Sequence, residues 1–394
     1  MLTNQQEYQL EILGSLAEVS ASEWTALVPV DAAPFLRHEF LIALERCACV
    51  GEGTGWQPAH LVLRKKSANT PLIAAMPLYL KQHSYGEFVF DWSWAQAYEQ
   101  HGIDYYPKAL CAIPFTPVQG PKLLCASSED PEPIRTALLD GLKSLVTQNE
   151  LSSAHILFPE QSEIGSMVEQ GFMLRDSVQF HWQNHNYQNF EQFLSVLTMK
   201  RRKNIRRERA LVAAENIKFN HLPGIETTKA DWEFFYCCYE NTYVEHHSSP
   251  YLSKAFFIEL ANTMPDNLHL IVASNDDERI ACSLLIVDKT NAKAYGRYWG
   301  SIKYVDCLHF ETAYYQAIEY CIRENIQIFE GGAQGEHKMA RGFMPTTIHS
   351  AHWITDPQFS KAIKLFLERE HRGIAAYVDE LSEHSPLKSS TVAL

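Results

Sequence analysis

Long apolar runs are missing from this chain. Nothing in it approaches the ~20 consecutive apolar residues of a bilayer-spanning helix, which argues against membrane insertion. Its polar start (Gln5, Gln6, Glu7) lacks the charged-then-apolar pattern of a signal peptide. Basic residues are also in short supply, with 34 Lys and Arg against 47 Asp and Glu, a formal charge of −13. Phosphate backbones are bound by basic surface, so this balance excludes a general DNA-binding coat while leaving room for one local basic site. Paired cysteine motifs are absent as well. The nine cysteines include Cys47, Cys49 and the adjacent Cys237 and Cys238 but form no Cys-x-x-Cys. Reduced, mostly buried thiols suit that pattern better than a disulfide framework. Neighbouring side chains diverge, so His246-His247 makes a poor metal chelate. The expectation is a cytoplasmic soluble protein with no metal site and no permanently bound cofactor.

What the chain does contain is a repeat. Gly171-Phe172-Met173, seven residues, then His181-Trp182 recurs as Gly342-Phe343-Met344, seven residues, then His352-Trp353. A second match keeps the same order. His60-Leu61-Val62-Leu63 with the apolar run Leu72 to Leu80 parallels His269-Leu270-Ile271-Val272 with Ile280 to Val287. At this length such self-similarity means two copies of one globular unit, not a solenoid, and 394 residues suit two or three domains.

Each copy reads as strands, a helix, a short strand, a loop and a last strand. In the second, Leu268 to Ser274 and Ile280 to Val287 flank an Asn-Asp-Asp turn, a hairpin signal. Ala292 to Trp299 is a third strand. His309 to Asn325 spaces Phe310, Ala313, Ala317 and Cys321 as an amphipathic helix. Ile326 to Glu330 is a short strand and Ile348 to Ile354 the closing one. In the first copy Ile134, Leu138, Leu142 and Leu145 mark the helix and His155 to Phe158 the short strand. Helices on a mainly antiparallel sheet make the fold class α/β, or α+β. The domains are expected at 1–190 and 191–380, with 381–394 a flexible tail. The first copy is 38 residues longer between its landmarks (111 positions from His60 to Gly171 against 73 from His269 to Gly342), mostly within an aromatic insertion at 82–120.

Three stretches carry candidate chemistry. The glycine-rich loop 330–341 gathers Glu336, His337, Lys338 and Arg341, where a base and an oxyanion partner for acyl transfer could sit; an ordinary solvated turn is the alternative. The insertion groups Asp91, Trp92, Tyr98, Tyr105, Tyr106 and Lys108, aromatic platforms with isolated charges that suit sugars or peptides. These aromatics could equally serve as glue between the copies. The basic helix 199–212 carries Arg201, Arg202, Arg206 and Arg207, able to hold donor phosphates or to form a solvated linker.

Phe88-Val89-Phe90-Asp91-Trp92, Tyr105-Tyr106-Pro107-Lys108, Pro114-Phe115-Thr116-Pro117, the run Lys200 to Arg209 and Gln334-Gly335-Glu336-His337-Lys338-Met339-Ala340-Arg341-Gly342-Phe343 together resemble the FemAB-like predicted N-acyltransferases, peptidoglycan biosynthesis or recognition proteins. The resemblance spans residues 20 to 380. It implies two tandem GNAT-like units, of the acyl-CoA N-acyltransferase type. It also implies transfer of an acyl or aminoacyl group to an amine, with acyl-CoA or aminoacyl-tRNA as co-substrate and a small-molecule, peptide or amino-sugar acceptor. Lys338 matches the lysine of the family's glycine-rich motif. Where that fold carries its pyrophosphate signature, this chain reads Arg297-Tyr298-Trp299-Gly300-Ser301, and Arg297 and Trp299 are taken as substrate-binding. Two alternatives stand beside this reading: a Fem-type aminoacyl-tRNA-dependent transferase, and a non-catalytic module that recognises a peptide or glycan.

Overall fold

The computed structural model describes residues 8–66, 70–332 and 335–388. They divide into two compact units, one built from the chain up to Ser177 with Ile348–Ala375, the other from Val178–Thr347 with the chain from Ala376 on. Fifteen strands in chain order supply their sheets among the described residues: β1 Tyr8–Leu13, β2 Trp56–Pro58, β3 His60–Lys65, β4 Leu72–Met76, β5 Leu78–Lys81, β6 Lys108–Cys111, β7 Leu124–Cys125, β8 Ser153–Leu157, β9 Met173–Gln183, β10 Ile217–Pro223, β11 Leu268–Asn275, β12 Glu278–Asp288, β13 Lys293–Ser301, β14 Ile328–Glu330 and β15 Met344–Ile354.

In the first unit β1, β3, β4 and β7 form a four-stranded sheet, and β2, β5, β6 and β8 lie in a second. The apolar run from Leu72 to Leu80 breaks at Pro77, which cannot donate to a ladder, so β4 and β5 belong to different sheets. The helix Pro131–Gln148 forms as its sequence dictates. Asp130 caps it, proline takes the first turn, and Ile134, Leu138, Leu142 and Leu145 are buried. In the second unit β10 to β13 form an antiparallel meander, β14 joins β13 in parallel, and the helical stretch 308–323, with a π turn at Glu311–Tyr315, connects those two strands.

The last strands are exchanged. The end of β9 pairs with β14 (Trp182 opposite Phe329), while the end of β15 pairs with β8 (His352 opposite His155). Each copy therefore completes the sheet of the other, which contiguous domains at 1–190 and 191–380 do not describe. The repeat itself stands. Gly171 and Gly342 have φ of 83° and 87°, a left-handed conformation open to glycine, and each precedes an 11-residue strand. Trp182 is buried and Trp353 half-buried at the ends of those strands. Further equivalences follow from register: Lys108-Ala109 matches Lys293-Ala294, and His155, opposite His352, matches Glu330, opposite His181.

The segment placed in a flexible tail is held as far as it is described. Thr198 donates to the Pro386 carbonyl at 2.9 Å, Lys388 to that of Val196 at 2.9 Å, and Leu387 packs on the core of the second unit. Residues 389–394 of that expectation lie outside the described ones. Among the described residues no helix is long and apolar enough to cross a membrane.

One glycine fixes how the helix Lys229–Glu245 lies on β13. A Cβ added at Gly300 would sit on the Cys238 carbonyl, and backbone cannot move aside as a side-chain tip can. Overpacking of this kind costs about 1–3 kcal/mol or more. Gly300→Ala is expected to lower the thermal midpoint by several degrees, and an unchanged midpoint would contradict this packing.

Candidate functional site

The second unit contains a fork between parallel strands. β13 and β14 pair at only three positions, the last being Tyr295 with Glu330. Beyond them β13 runs on from Gly296 to Ser301 without β14, paired in the sheet with β12, while its Trp299 and Ser301 carbonyls accept from Thr242 and Asn241 of the helix Lys229–Glu245. Backbone amides along a strand point alternately to its two sides, so half of those in this stretch face the unpartnered side. The pairing with β12 also slips by one residue, from Leu284–Tyr298 to Leu285–Gly296, which makes Arg297 the extra residue of a β-bulge. Bulges of this kind re-aim a side chain and end pairing.

A cavity of about 170 Å³ occupies the fork, lined among others by Gly296, Arg297, Trp299, His309, Tyr314 and Gly331. Trp299 stacks on His309 with ring centroids 5.0 Å apart. Burial, with the nearby His337, Arg341 and Lys338, depresses His309 to about 4, so its imidazole is neutral. Tyr314 hydrogen-bonds His337 Nε2 through its hydroxyl at 3.2 Å.

Glu330 ends β14 at the point of divergence. Only 9 % exposed, it has one carboxylate oxygen, Oε2, with no hydrogen-bond partner. Burial pushes its carboxyl up to about 7, against the pull of Lys293 and Arg297. The sequence reading passed over Glu330 as a base, although a carboxylate between Phe329 and Gly331-Gly332 was visible there. Nothing in the sequence marks Tyr314 beyond its place in the helix.

The loop residues singled out from sequence are placed differently from one another. Glu336 is exposed and accepts from the Tyr377 hydroxyl at 2.5 Å. His337 is also exposed and touches the cavity through Tyr314. Lys338 does not project from the loop. It is buried, donates to the Gly332 carbonyl at 3.0 Å, and is lowered by burial to about 8. Arg341 is buried too, donates to Glu208 at 2.9 Å and to the His337 carbonyl at 2.7 Å, and lies over the Phe310 ring. Residues 333 and 334 of this loop lie outside the described ones.

The basic helix, Met199–Ala214, has prior commitments. Arg206 pairs with Glu191 at 2.5 Å and Arg202 donates to the carbonyls of Ser195 and Leu197. Arg201 is half-buried and Arg207 exposed. Gly300, where the fold's pyrophosphate signature would be sought, serves helix packing instead.

In the first unit the insertion residues form a buried ionic cluster. Lys108 donates to Ser84 and Glu87 at 2.8 Å each and to Asp91. Tyr105 donates to Asp91 at 2.6 Å and lies 3.2 Å from His155 Nε2, and His155 Nδ1 is 2.7 Å from His352 Nδ1. Burial opposes charge on Asp91, but the adjacent ammonium of Lys108 outweighs it and holds the carboxyl well below its usual range. Tyr98 is buried and stacks on Phe359. Of the residues expected to bind substrate here, Trp92, Tyr105 and Tyr106 line an open groove, whereas Asp91 and Lys108 are sealed beneath it.

The fork of the first unit is closed by the chain itself. Past the paired stretch of β6 and β8, the ammonium of Lys122 bonds the carbonyls of Gly120 and Phe158 at 2.7 and 3.0 Å, and Glu163 takes the amides of Lys122 and Leu123.

The family model described as FemAB_like, peptidoglycan biosynthesis/recognition, matches residues 15–389. The chain belongs to the FemAB-like family. Among solved structures, this FemAB-like protein is similar to the C-terminal domain of a putative lysylphosphatidylglycerol synthetase from Agrobacterium fabrum (9% identity, 90% of this chain and 97% of that one, TM-score 0.51). It is also similar to a tandem GNAT protein from the clavulanic acid biosynthesis pathway (11%, 89% and 99%, 0.47) and to L-PGS from Bacillus licheniformis (8%, 83% and 94%, 0.48). No curated protein sequence matches this FemAB-like chain.

Proposed function

We propose that the protein is an N-acyltransferase whose activated acyl group enters the fork of the second unit, with Glu330 as the base. The divergence of β13 and β14 beyond Tyr295 and Glu330 carries this reading. It leaves strand amides without a β14 partner beside a small cavity, and Glu330 ends β14 between two residues that line that cavity, Phe329 and Gly331. An acceptor amine reaches the site as an ammonium and must lose a proton before it attacks. Glu330, titrating near 7, is matched to that task. Attack forms the C–N bond and an oxyanion, which β13 amides on the side facing away from β12 can bind. Collapse breaks the bond to the leaving group, Tyr314 gives that group a proton, and the second proton shed by the amide nitrogen restores Tyr314 by way of the neighbouring His337. His337 and Lys338 take supporting places beside the fork in this scheme, through Tyr314 and the Gly332 carbonyl. The donor is an activated acyl compound such as an acyl-CoA, and the aromatic groove of Trp92, Tyr105 and Tyr106 is a candidate acceptor surface. The family description points to an acceptor linked to cell-wall peptide or amino-sugar metabolism.

The test is release of free thiol from short acyl-CoA thioesters in the presence of amines. Ala313 lines the cavity from the helix, so Ala313→Phe should fill it and reduce turnover at least tenfold with the melting midpoint little changed. Full turnover in that folded variant would remove the cavity from the mechanism.

A further inference from the structure

The first unit holds an aromatic patch in solvent. Tyr85, Phe90 and Trp92 of the insertion are exposed, with the rings of Tyr85 and Trp92 5.1 Å apart. Their backbone is fixed from beneath. Lys108 pins the buried Glu87 and Asp91, and Arg175 donates to the Phe90 carbonyl at 2.7 Å. The same guanidinium grips both oxygens of Glu370, at 2.7 and 2.8 Å, which seats the helix Pro357–Glu383 beside the patch. This helix buries Ile363 and Leu367. The outer side of such a helix is ordinarily polar, yet Leu365 and Phe366 are exposed on it, Phe366 one turn before Glu370. Lys361, Lys364, Arg369 and Arg372 stand around them, all exposed. None of these four is in an ion pair among the described residues, and Arg372 donates to the Glu368 carbonyl of its own helix. The neighbouring acids are engaged: Arg175 holds Glu370, Asp176 lies between His349 and His371, and Asp356 takes the amides of Gln358 and Phe359. Glu368 is the one carboxylate between 357 and 375 that shares the exposed side. Four cations against one carboxylate is a local excess in a chain of net charge −13.

We propose that this face of the first unit lies on an anionic lipid bilayer. The rings of Phe90, Trp92 and Phe366, with Leu365, enter the headgroup boundary, where amphipathic and aromatic side chains are favoured. The four cations meet the lipid phosphates, so apolar burial and charge attraction act in one contact. A nucleic acid fits the face less well. Leu365, set among the cations, has no π-face on which a base could stack. The carboxylates of Glu99 and Asp104 line the groove beside Trp92, where they would repel a phosphate chain. Such docking is independent of the acyltransferase reading, and either can fail without the other.

Co-sedimentation of the full chain with vesicles tests this. Mixed phosphatidylglycerol and phosphatidylcholine vesicles are expected to bind it about tenfold or more tightly than phosphatidylcholine alone, a preference that weakens as salt is raised. Replacing Lys361, Lys364, Arg369 and Arg372 together by Gln should abolish the preference. Phe90→Ser with Phe366→Ser should weaken binding about tenfold through lost apolar burial while leaving its salt dependence in place. All six side chains are exposed, so the melting midpoints of both variants should stay near that of the wild type. No binding to either vesicle, or equal affinity for both, overturns the proposal. Anionic binding that survives the charge variant places the contact elsewhere and overturns it too. Vesicle binding untouched by the Phe90 and Phe366 replacements, yet displaced by bulk RNA, assigns the face to a nucleic acid and overturns it as well.

Discussion

Glu330→Gln is expected to lower kcat/KM by about 10²–10⁴-fold, the usual worth of a positioned general base, while the protein stays folded. The pH dependence fixes the sign. The base must be ionised to act, so wild-type kcat/KM should rise with pH through an apparent value near 7 and fall away below it. Stability should run the opposite way. Burial raises the folded-state value of Glu330 above that of the unfolded chain, so its contribution is fully present below the ordinary carboxyl range and is lost as pH climbs through about 7. Removing the charge should therefore make Glu330→Gln the more heat-resistant protein at pH 8, with the advantage vanishing near pH 5. Turnover and melting curves at both pH values check this together. A variant that loses activity and stability equally at every pH would mark Glu330 as merely structural.

The largest effect on stability is expected from Lys108→Met. Its ammonium is fully buried between Glu87 and Asp91. Without it Asp91 keeps the Tyr105 hydroxyl and Glu87 the more distant Lys81 at 3.9 Å, and breaking a buried pair typically costs about 3–5 kcal/mol. In the wild type, burial opposes the charged form of Lys108 but the two carboxylates outweigh it and raise its value, and Lys108 in turn lowers Asp91. The Asp91 contribution is present above its unfolded value and is lost as pH falls through the lowered folded one. In the variant the stranded carboxyls can take up protons instead, so the deficit should shrink as pH is lowered from 8 to 5. Denaturant unfolding at the two pH values measures it. Wild-type stability in Lys108→Met would show that the cluster is not what holds the insertion.

Much of this architecture was legible in the sequence, for physical reasons. The pairs Gly-Phe and His-Trp recur because a left-handed glycine begins each 11-residue closing strand and an at least half-buried tryptophan ends it. The amphipathic helix at Ile134 to Leu145 declares itself by spacing alone. The partner of a strand does not, since alternation records which face is buried and is silent about which neighbour supplies the ladder. The insertion misled for a related reason. Asp91, Tyr105 and Lys108 have the same composition whether they line a groove or satisfy one another inside the protein. Lys338 looked exposed because glycines surround it, yet its stem folds back onto Gly331 and Gly332. Glu330 could have been found, because a carboxylate ending a buried strand is costly unless it has a task.

The exchanged strands also bear on heredity. After an ordinary tandem duplication either copy can be deleted, shuffled or expressed alone, since each carries a whole fold. Here a gene encoding only the first copy would lack Ser350–Ile354, the partner of β8. It would open to solvent the edge of a strand whose five residues are all buried, and edges of that kind invite aggregation. A gene for the second copy alone would lack the partner of β14, the strand that ends in Glu330. Once the strands had crossed, the duplication could no longer be undone, and the two copies have had to be inherited as one.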